Sequence, residues 1–313
     1  MKEKLIVILG PTAVGKTALS IDLAHRLHTE ILSGDSMLVY RGLDIGTAKP
    51  SIEEQAGIVH HMIDILAPED EFSVTKFREL AAAAIHQIHA KGRIPILAGG
   101  TGLYIKSLLE DYQFNRTPGD EQYRQQLEQL AVEKGKEYVH EMLAAVDPAA
   151  AERLHVNDFR RVIRALEVYH QGGEKISQEK RGCQEDELAY DAWVIGLDRP
   201  REQLYDRINQ RVEQMFANGL VEEVKKLLQA GMPRDCQAMQ GIGYKEVAAF
   251  LAGELSLEEA KLLIQKSTRH FAKRQLTWYR KMPYIHWYDV DALAQNDLLA
   301  AVYEDLAGKF AIK

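Results

Sequence analysis

Between residues 5 and 9 five aliphatic side chains, LIVIL, follow one another without a polar interruption, the pattern of a strand buried on both faces. Leu19, Leu23, Ala24 and Leu27 then recur at helical spacing, so the chain opens as strand, glycine-containing loop, helix. EILS at 30–33 reads as a second strand, and VHHMIDIL at 59–66 as a third strand or a partly extended segment. Ser73 precedes a helix whose Phe77, Leu80, Ala81, Ala84, Ile85 and Ile88 share one face. RIPILAGGTGLYIKSLLE repeats the opening order of apolar strand, glycine turn and helix. Strands alternating with helices predict an α/β fold, a parallel sheet with helices on both faces.

The pattern changes at NRTPGDEQ (115–122). From there to about residue 188 no strand period is visible, while EQYRQQLEQLAVEKG, EYVHEMLAAVD, DPAAAERL and NDFRRVIRALEVYHQGG all carry helical spacing. YDAWVIGLD (190–198) returns to strand character. The expected division is therefore 1–115 as the first part of the α/β core, 116–189 as an all-helical insertion, and 190–313 as the second part of the core. That second part continues with a long helix over PREQLYDRINQRVEQMFANG, a further helical run LVEEVKKLLQAG, a glycine-rich turn MQGIGYKEV and a basic helix.

Composition narrows the class. Apolar residues make up 46% and charged residues 27%, ordinary for a globular chain. The two cysteines, Cys183 and Cys236, have no C-x-x-C spacing, so neither a disulfide framework nor a zinc site is expected, and a cytoplasmic location fits. The apolar run Leu5–Gly10 is six residues long before Pro11, too short for a secretory core, and no run reaches the roughly 18 apolar residues of a membrane span. A net charge of −7 argues against broad affinity for nucleic acid. Locally the balance reverses: KSTRHFAKRQLTWYRK, residues 266–281, holds six Lys/Arg and no acid. On a helix Lys266, His270, Lys273, Thr277 and Arg280 or Lys281 share a face, with Trp278 and Tyr279 interleaved, which suits RNA; a merely solvated charged face is the other reading.

Chemistry enters with GPTAVGKT, residues 10–17, which satisfies G-x-x-x-x-G-K-S/T between a strand and a helix. In such a loop backbone N–H groups cradle phosphates, Lys16 neutralises them and the Thr17 hydroxyl is placed to ligate Mg²⁺. The apolar strand that a hydrolytic NTPase ends in Asp here ends in Ala-Gly-Gly. An acid stands instead at Asp35, past the second strand, on the rim that faces the loop in an open parallel sheet. Asp35 or Ser36 would serve equally as a helix cap. His60, His61 and Asp64 suggest hydrogen-bonding roles rather than a metal site, because neighbours on a strand point to opposite faces.

Taken together, GPTAVGKT, GDSMLVYRGLDIGTAKP, HHMIDI, LAGGTGLYIKSLL, NDFRRVIRALEV, GIGYKE and KRQLTWYRK resemble the tRNA dimethylallyltransferases, and the likeness covers nearly the whole chain. The resemblance implies transfer of a dimethylallyl group from dimethylallyl diphosphate to N6 of adenosine 37, beside the tRNA anticodon, by a cytoplasmic monomer. It implies that Gly10, Pro11, Thr12, Ala13, Val14, Gly15, Lys16 and Thr17 hold the diphosphate with Mg²⁺, and that Arg211 reaches the same anion. Asp35 matches the family's general base and Thr101 a residue near the reacting adenosine, although Thr101 also fits a plain N-cap. Asp35, Ser36, Met37 and Leu38 would line the approach of a flipped-out base. The helical insertion would grip the anticodon stem-loop through Asn157, Asp158, Arg160, Arg161, Arg164 and Arg124. Arg160 stands where many relatives carry Gln, which favours phosphate over base contact there. Gly243, Tyr244 and Lys245, and then Lys273, Arg274, Gln275, Trp278 and Arg280, complete the expected tRNA surface. Two other functions fit the phosphate loop alone: a small-molecule or nucleotide kinase with Asp35 activating a hydroxyl, and an RNA-binding switch without chemistry.

Overall fold

A computed structural model describes residues 2–112, 117, 119–178, 187–292 and 294–311. The chain divides into two compact units, one built from Met1–Asp111 with Cys183–Lys313 and the other from Tyr112–Gly182. The expected 115/116 boundary and Cys183 fall outside the described residues. Leu188 and Ala189 belong with the sheet unit: Leu188 is buried in its core, and the Ala189 N–H donates to the Leu109 carbonyl at 2.8 Å.

The first unit carries six strands, β1 (Lys4–Leu9), β2 (Ile31–Ser33), β3 (His60–His61), β4 (Ile96–Gly99), β5 (Asp191–Asp198) and β6 (Ile285–Asp289), in the order β3-β2-β4-β1-β5-β6. Every pairing is parallel; at the centre Val7 lies between Leu97 and Val194. Alternate residues of β1 enter different cores. Leu5, Val7 and Leu9 pack in the cluster that holds Phe77 and Ile85, whereas Ile6 and Ile8 pack with Leu19, Leu23, Leu204 and Ile208. The helices are α1 (Lys16–Leu27), α2 (Val74–Ala90), α3 (Gly102–Leu109), α4 (Glu121–Lys134), α5 (Lys136–Val146), α6 (Pro148–Arg153), α7 (Phe159–Gly172), α8 (Arg201–Ala217), α9 (Leu220–Gln229), α10 (Tyr244–Leu251), α11 (Leu257–Tyr279) and α12 (Gln295–Phe310).

Local chemistry explains where these elements stop. Of VHHMIDIL only His60 and His61 form strand, because Met62 and Asp64 take left-handed backbone angles, φ +62° and +55°, that end the extended chain. His61 Nε2 lies 2.8 Å from the buried Glu30 carboxylate, and His60 Nδ1 lies 2.9 Å from the Ile58 carbonyl. The glycine-rich turn ends sooner than its composition suggests: YKEV is already α10, whose first turn is closed by the Glu246 carboxylate accepting the Gly243 N–H at 2.8 Å. The basic helix is longer than its charge run, starting at a capping box between Ser256 and Glu259. In the second unit α4 to α7 enclose Leu127, Val139, Leu143, Val162, Ile163 and Leu166. Asp147 starts α6, its Oδ1 accepting the Ala150 N–H at 3.1 Å with Pro148 at the first helical position. No helix among the described residues is long and apolar enough to cross a membrane.

Candidate active site

The phosphate loop leaves the end of β1 through Gly10, whose φ of +153° and close approach to the Leu197 carbonyl, 2.6 Å from where a Cβ would stand, admit no side chain. Ala13 and Gly15 are also left-handed, φ +66° and +117°, and the chain enters α1 at Lys16. The Lys16 ammonium donates to the carbonyls of Gly10 at 3.0 Å and Pro11 at 2.9 Å, which curls the loop around its own cation. Burial, reinforced by the nearby Arg211 and opposed by Asp35, lowers the Lys16 pKa to about 8. Burial and the neighbouring Arg207 likewise lower that of Arg211. Two cations crowded in this way are arranged to receive an anion. Not every loop group faces it: the Val14 side chain is in the core, and its N–H is turned to the Pro11 carbonyl at 3.4 Å.

A cavity of about 510 Å³ opens at this loop, lined by Gly15, Lys16 and Thr17 with Ile45, Ala48, Glu54, Arg207, Arg211 and Met215. A second, of about 380 Å³, is lined by Thr12, Asp35, Ser36, Met37 and Thr101, by Gly46 and Tyr244, and by Lys245 and Arg274. Ala48, Arg211 and Met215 line both. One site therefore has an anion-receiving chamber and an acid-bearing chamber with a common wall.

The acid chamber is tightly braced. The Asp35 carboxylate accepts the Met37 N–H at 2.8 Å on Oδ1, and among the described residues its second oxygen has no hydrogen-bond partner. The Thr101 hydroxyl accepts the Ser36 N–H at 3.1 Å, so Thr101, although at the N-cap of α3, spends its oxygen on the Asp35 turn rather than on its own helix. Leu38 is half-buried outside the lining, its carbonyl accepting the Asp64 N–H at 3.1 Å.

Several expected RNA contacts are otherwise engaged. Gln275 is 6% exposed, its oxygen accepting the Thr12 N–H at 2.9 Å and its nitrogen donating to the Gly100 carbonyl at 2.8 Å. It joins the phosphate loop to the turn before Thr101 instead of facing solvent. Trp278 packs against Gly102, where a Cβ would come within 2.5 Å of its ring, and Tyr279 is fully buried with its hydroxyl on the Gly100 carbonyl at 2.7 Å. Tyr244 is buried too, its hydroxyl donating to Glu223 at 2.6 Å, and Gly243 is buried at the start of α10. Lys266, His270, Lys273, Arg274, Thr277 and Arg280 are exposed, and Arg280 also approaches Asp198 at 3.6 Å.

In the helical unit, considered by itself, Asn157, Asp158, Arg160 and Arg161 are exposed on or beside the first turn of α7, with Arg161 3.9 Å from Asp158. Arg124 and Arg164 instead turn inward to the fully buried Glu167: Arg124 Nε donates at 2.8 Å, and Arg164 pairs with the other carboxylate oxygen. Their guanidiniums serve the fold of that unit first.

Arg207 escaped the sequence reading. It stands one turn before Arg211 on α8, lines the anion chamber and donates from Nε to the Ala13 carbonyl at 3.0 Å. Its i, i+4 spacing from Arg211 was the available signal. Met215, a further turn on, and Glu223 on α9 carried no such mark.

The model of the IPP transferase family matches residues 38–282. A tRNA dimethylallyltransferase of Bacillus mycoides (strain KBAB4) is 52% identical over 312 residues, covering 100% of this chain and 97% of its own, and one of Bacillus anthracis is 51% identical over the same length. Among solved structures, a tRNA isopentenylpyrophosphate transferase from Bacillus halodurans is similar at 45% identity and TM-score 0.75, with 98% of this chain and 97% of that chain covered. A eukaryotic dimethylallyltransferase acting on tRNA is similar at 31% identity and TM-score 0.80, covering 96% of this chain and 77% of that one. The family match spans residues 38–282 and full-length relatives share just over half of their residues with it, so the chain belongs to the IPP transferase family, the tRNA dimethylallyltransferases.

Proposed function

We propose that this protein transfers a dimethylallyl group from dimethylallyl diphosphate to N6 of adenosine 37 in tRNA, releasing diphosphate. The observation that carries the reading is the common wall at Ala48, Arg211 and Met215 between a cationic chamber and one bearing a carboxylate. A reaction that joins carbon from one substrate to nitrogen of another needs that adjacency.

The N6 amine is a weak nucleophile because its lone pair is delocalised into the purine, so the electrophile must be activated. Lys16, Arg211 and Arg207, with backbone amides of the loop other than those of Thr12 and Val14, neutralise charge as it accumulates on the leaving diphosphate. The allylic C1–O bond lengthens, positive charge develops at C1 against the common wall, and the amine closes on it. Asp35 takes the displaced N6 proton on the oxygen not bonded to Met37. Thr101 holds the Asp35–Ser36 turn in place.

Mg²⁺ belongs to the same proposal. No group of three His, Cys, Asp or Glu among the described residues could hold a metal alone. The exposed Thr17 hydroxyl at the chamber, together with diphosphate oxygens, makes the sparse oxygen set that Mg²⁺ accepts. When bound, the ion supplies further charge neutralisation at the leaving group. The anticodon stem-loop is the proposed RNA element, contacted by the exposed face of α11 and by Asn157, Asp158, Arg160 and Arg161, and the protein is proposed to act as a monomer. The names of the relatives do not favour the kinase reading.

The deciding experiment incubates the purified protein with tRNA and dimethylallyl diphosphate, then analyses nucleosides by mass. N6-dimethylallyladenosine at position 37 is expected; unmodified tRNA, or phosphate transfer from ATP in a parallel reaction, would overturn the reading.

A further inference from the structure

Residues 44–50, DIGTAKP, form no helix or strand, yet they build the partition of the site: Ile45 and Pro50 face the anion chamber, Gly46 and Thr47 the acid chamber, and Ala48 both. A segment without a backbone ladder must be held by other groups. Beside the turn bonds from the Ala48 N–H to the Ile45 carbonyl and from the Lys49 N–H to the Asp44 carbonyl, one carboxylate from α9 holds its start. Glu223 Oε2 accepts the N–H groups of Asp44 at 3.0 Å and Ile45 at 2.8 Å, while Oε1 accepts that of Gly46 at 3.1 Å and the Tyr244 hydroxyl at 2.6 Å. Burial and the adjacent Glu223 carboxylate raise the pKa of Tyr244, which keeps the phenol a donor. Its ring also abuts Gly46, where a Cβ would approach within 2.5 Å. Lys49 anchors the far end, donating to the Tyr40 carbonyl at 2.7 Å and pairing with Asp44 at 2.6 Å and with Asp64.

The geometry points to Glu223 as a positioning residue that pins this partition so that the allylic carbon meets the adenine amine rather than water. The inference rests on the function proposed above. In the step it suppresses, the C1–O bond breaks with its electron pair on diphosphate, a water oxygen bonds to C1, and that water loses a proton to solvent. The products are dimethylallyl alcohol and diphosphate. A wall that moves by an ångström disturbs both the approach of N6 and the exclusion of water.

Glu223→Gln tests it. The carboxamide keeps the volume but replaces one acceptor oxygen with an NH₂ that faces donors, so the partition loses part of its anchor. Labelled dimethylallyl diphosphate and tRNA are given to the full chain, and prenylated tRNA and dimethylallyl alcohol are both counted. The expected result is a kcat for transfer lower by about 10²-fold, an alcohol-to-transfer ratio raised at least about tenfold, and tRNA affinity within about twofold of wild type. Tyr244→Phe, which removes one of four donors, should shift the ratio in the same direction by less. If Glu223→Gln does not fold by circular dichroism, Gly46→Ala displaces the same segment with Glu223 intact, and its ratio must rise. An unchanged ratio in the folded variant overturns the role of Glu223; absence of prenylated tRNA with the wild-type protein overturns the proposed function and this inference together.

Discussion

The side-chain oxygen of Gln275 accepts the backbone N–H of Thr12 at 2.9 Å, tying the helix with the exposed basic stripe to the phosphate loop. Its nitrogen reaches the Gly100 carbonyl, to which Tyr279 also donates. Gln275→Leu therefore orphans the Thr12 N–H while Gly100 keeps one partner. We expect a loss of about 1–3 kcal/mol in urea unfolding and weaker diphosphate binding, with RNA affinity nearly unchanged. A variant that lost RNA affinity and kept its stability would show that Gln275 faces the nucleic acid after all.

One Asp35 oxygen holds the Met37 N–H, which separates that contact from the proposed role of Asp35 as base. Asp35→Asn retains an acceptor for that bond and removes the base, so single-turnover transfer should slow by about 10²- to 10⁴-fold with tRNA affinity preserved. Wild-type rates in the variant would remove Asp35 from proton transfer.

Lys16 sets a pH dependence whose sign is fixed by its pKa of about 8. Below that pH the loop carries an ammonium; as pH rises through it the charge is lost from the free protein, while a bound anion retains the proton. Diphosphate affinity, measured by calorimetry from pH 6.5 to 9.5, should fall above about pH 8 by up to about tenfold per pH unit relative to Lys16→Met. The variant supplies the titration of diphosphate itself as a baseline, and parallel curves for the two proteins would contradict the assignment.

Lys266, Lys273, Arg274 and Arg280, on or beside α11, are exposed, and we propose that they carry the electrostatic part of RNA binding. With about five phosphates neutralised, log K against log salt should have a slope of about −3.5 to −4.5, and Lys273→Ala should reduce its magnitude by about 1. A flat salt response would locate the RNA elsewhere.

Glu167 governs the helical unit. Its burial favours the neutral acid, but the Asp120 N–H, Arg164 and Arg124 outweigh that and lower its pKa. A carboxylate whose folded pKa is lowered stabilises above its unfolded pKa and loses that contribution as pH falls through the folded one. Glu167→Ala should cost that unit about 1–3 kcal/mol, seen as faster amide exchange across 119–178, because the Asp120 N–H, Arg124 and Arg164 lose their shared buried acceptor. Exchange rates equal to wild type would show those arginines pointing to solvent.

Much of this was legible in residue order. The LIVIL run, the loop at 10–17 and the helical spacing after 120 each depend on contacts within a few residues, and β1, the turn into α1 and α4 to α7 follow them closely. What escaped depends on partners far along the chain. Nothing near Glu223 marks it as the holder of residues 44–46, 177 to 179 positions away. The inward turn of Gln275 and Arg164 is equally silent in a charge count, since a polar side chain looks the same whether its partner is water or a buried amide. β3 was read within 59–66 but is only two residues long, and β6 and α12 lay beyond the stretch that motifs made readable.

Arg207, Arg211 and Met215 stand at four-residue intervals on the single rod of α8. The spacing makes them one rigid comb, so a tilt of that helix shifts all three teeth in lockstep. On the proposed reading, widening the donor side for a bulkier prenyl chain also retunes the fit of the acceptor base, and the two specificities should drift as a linked pair.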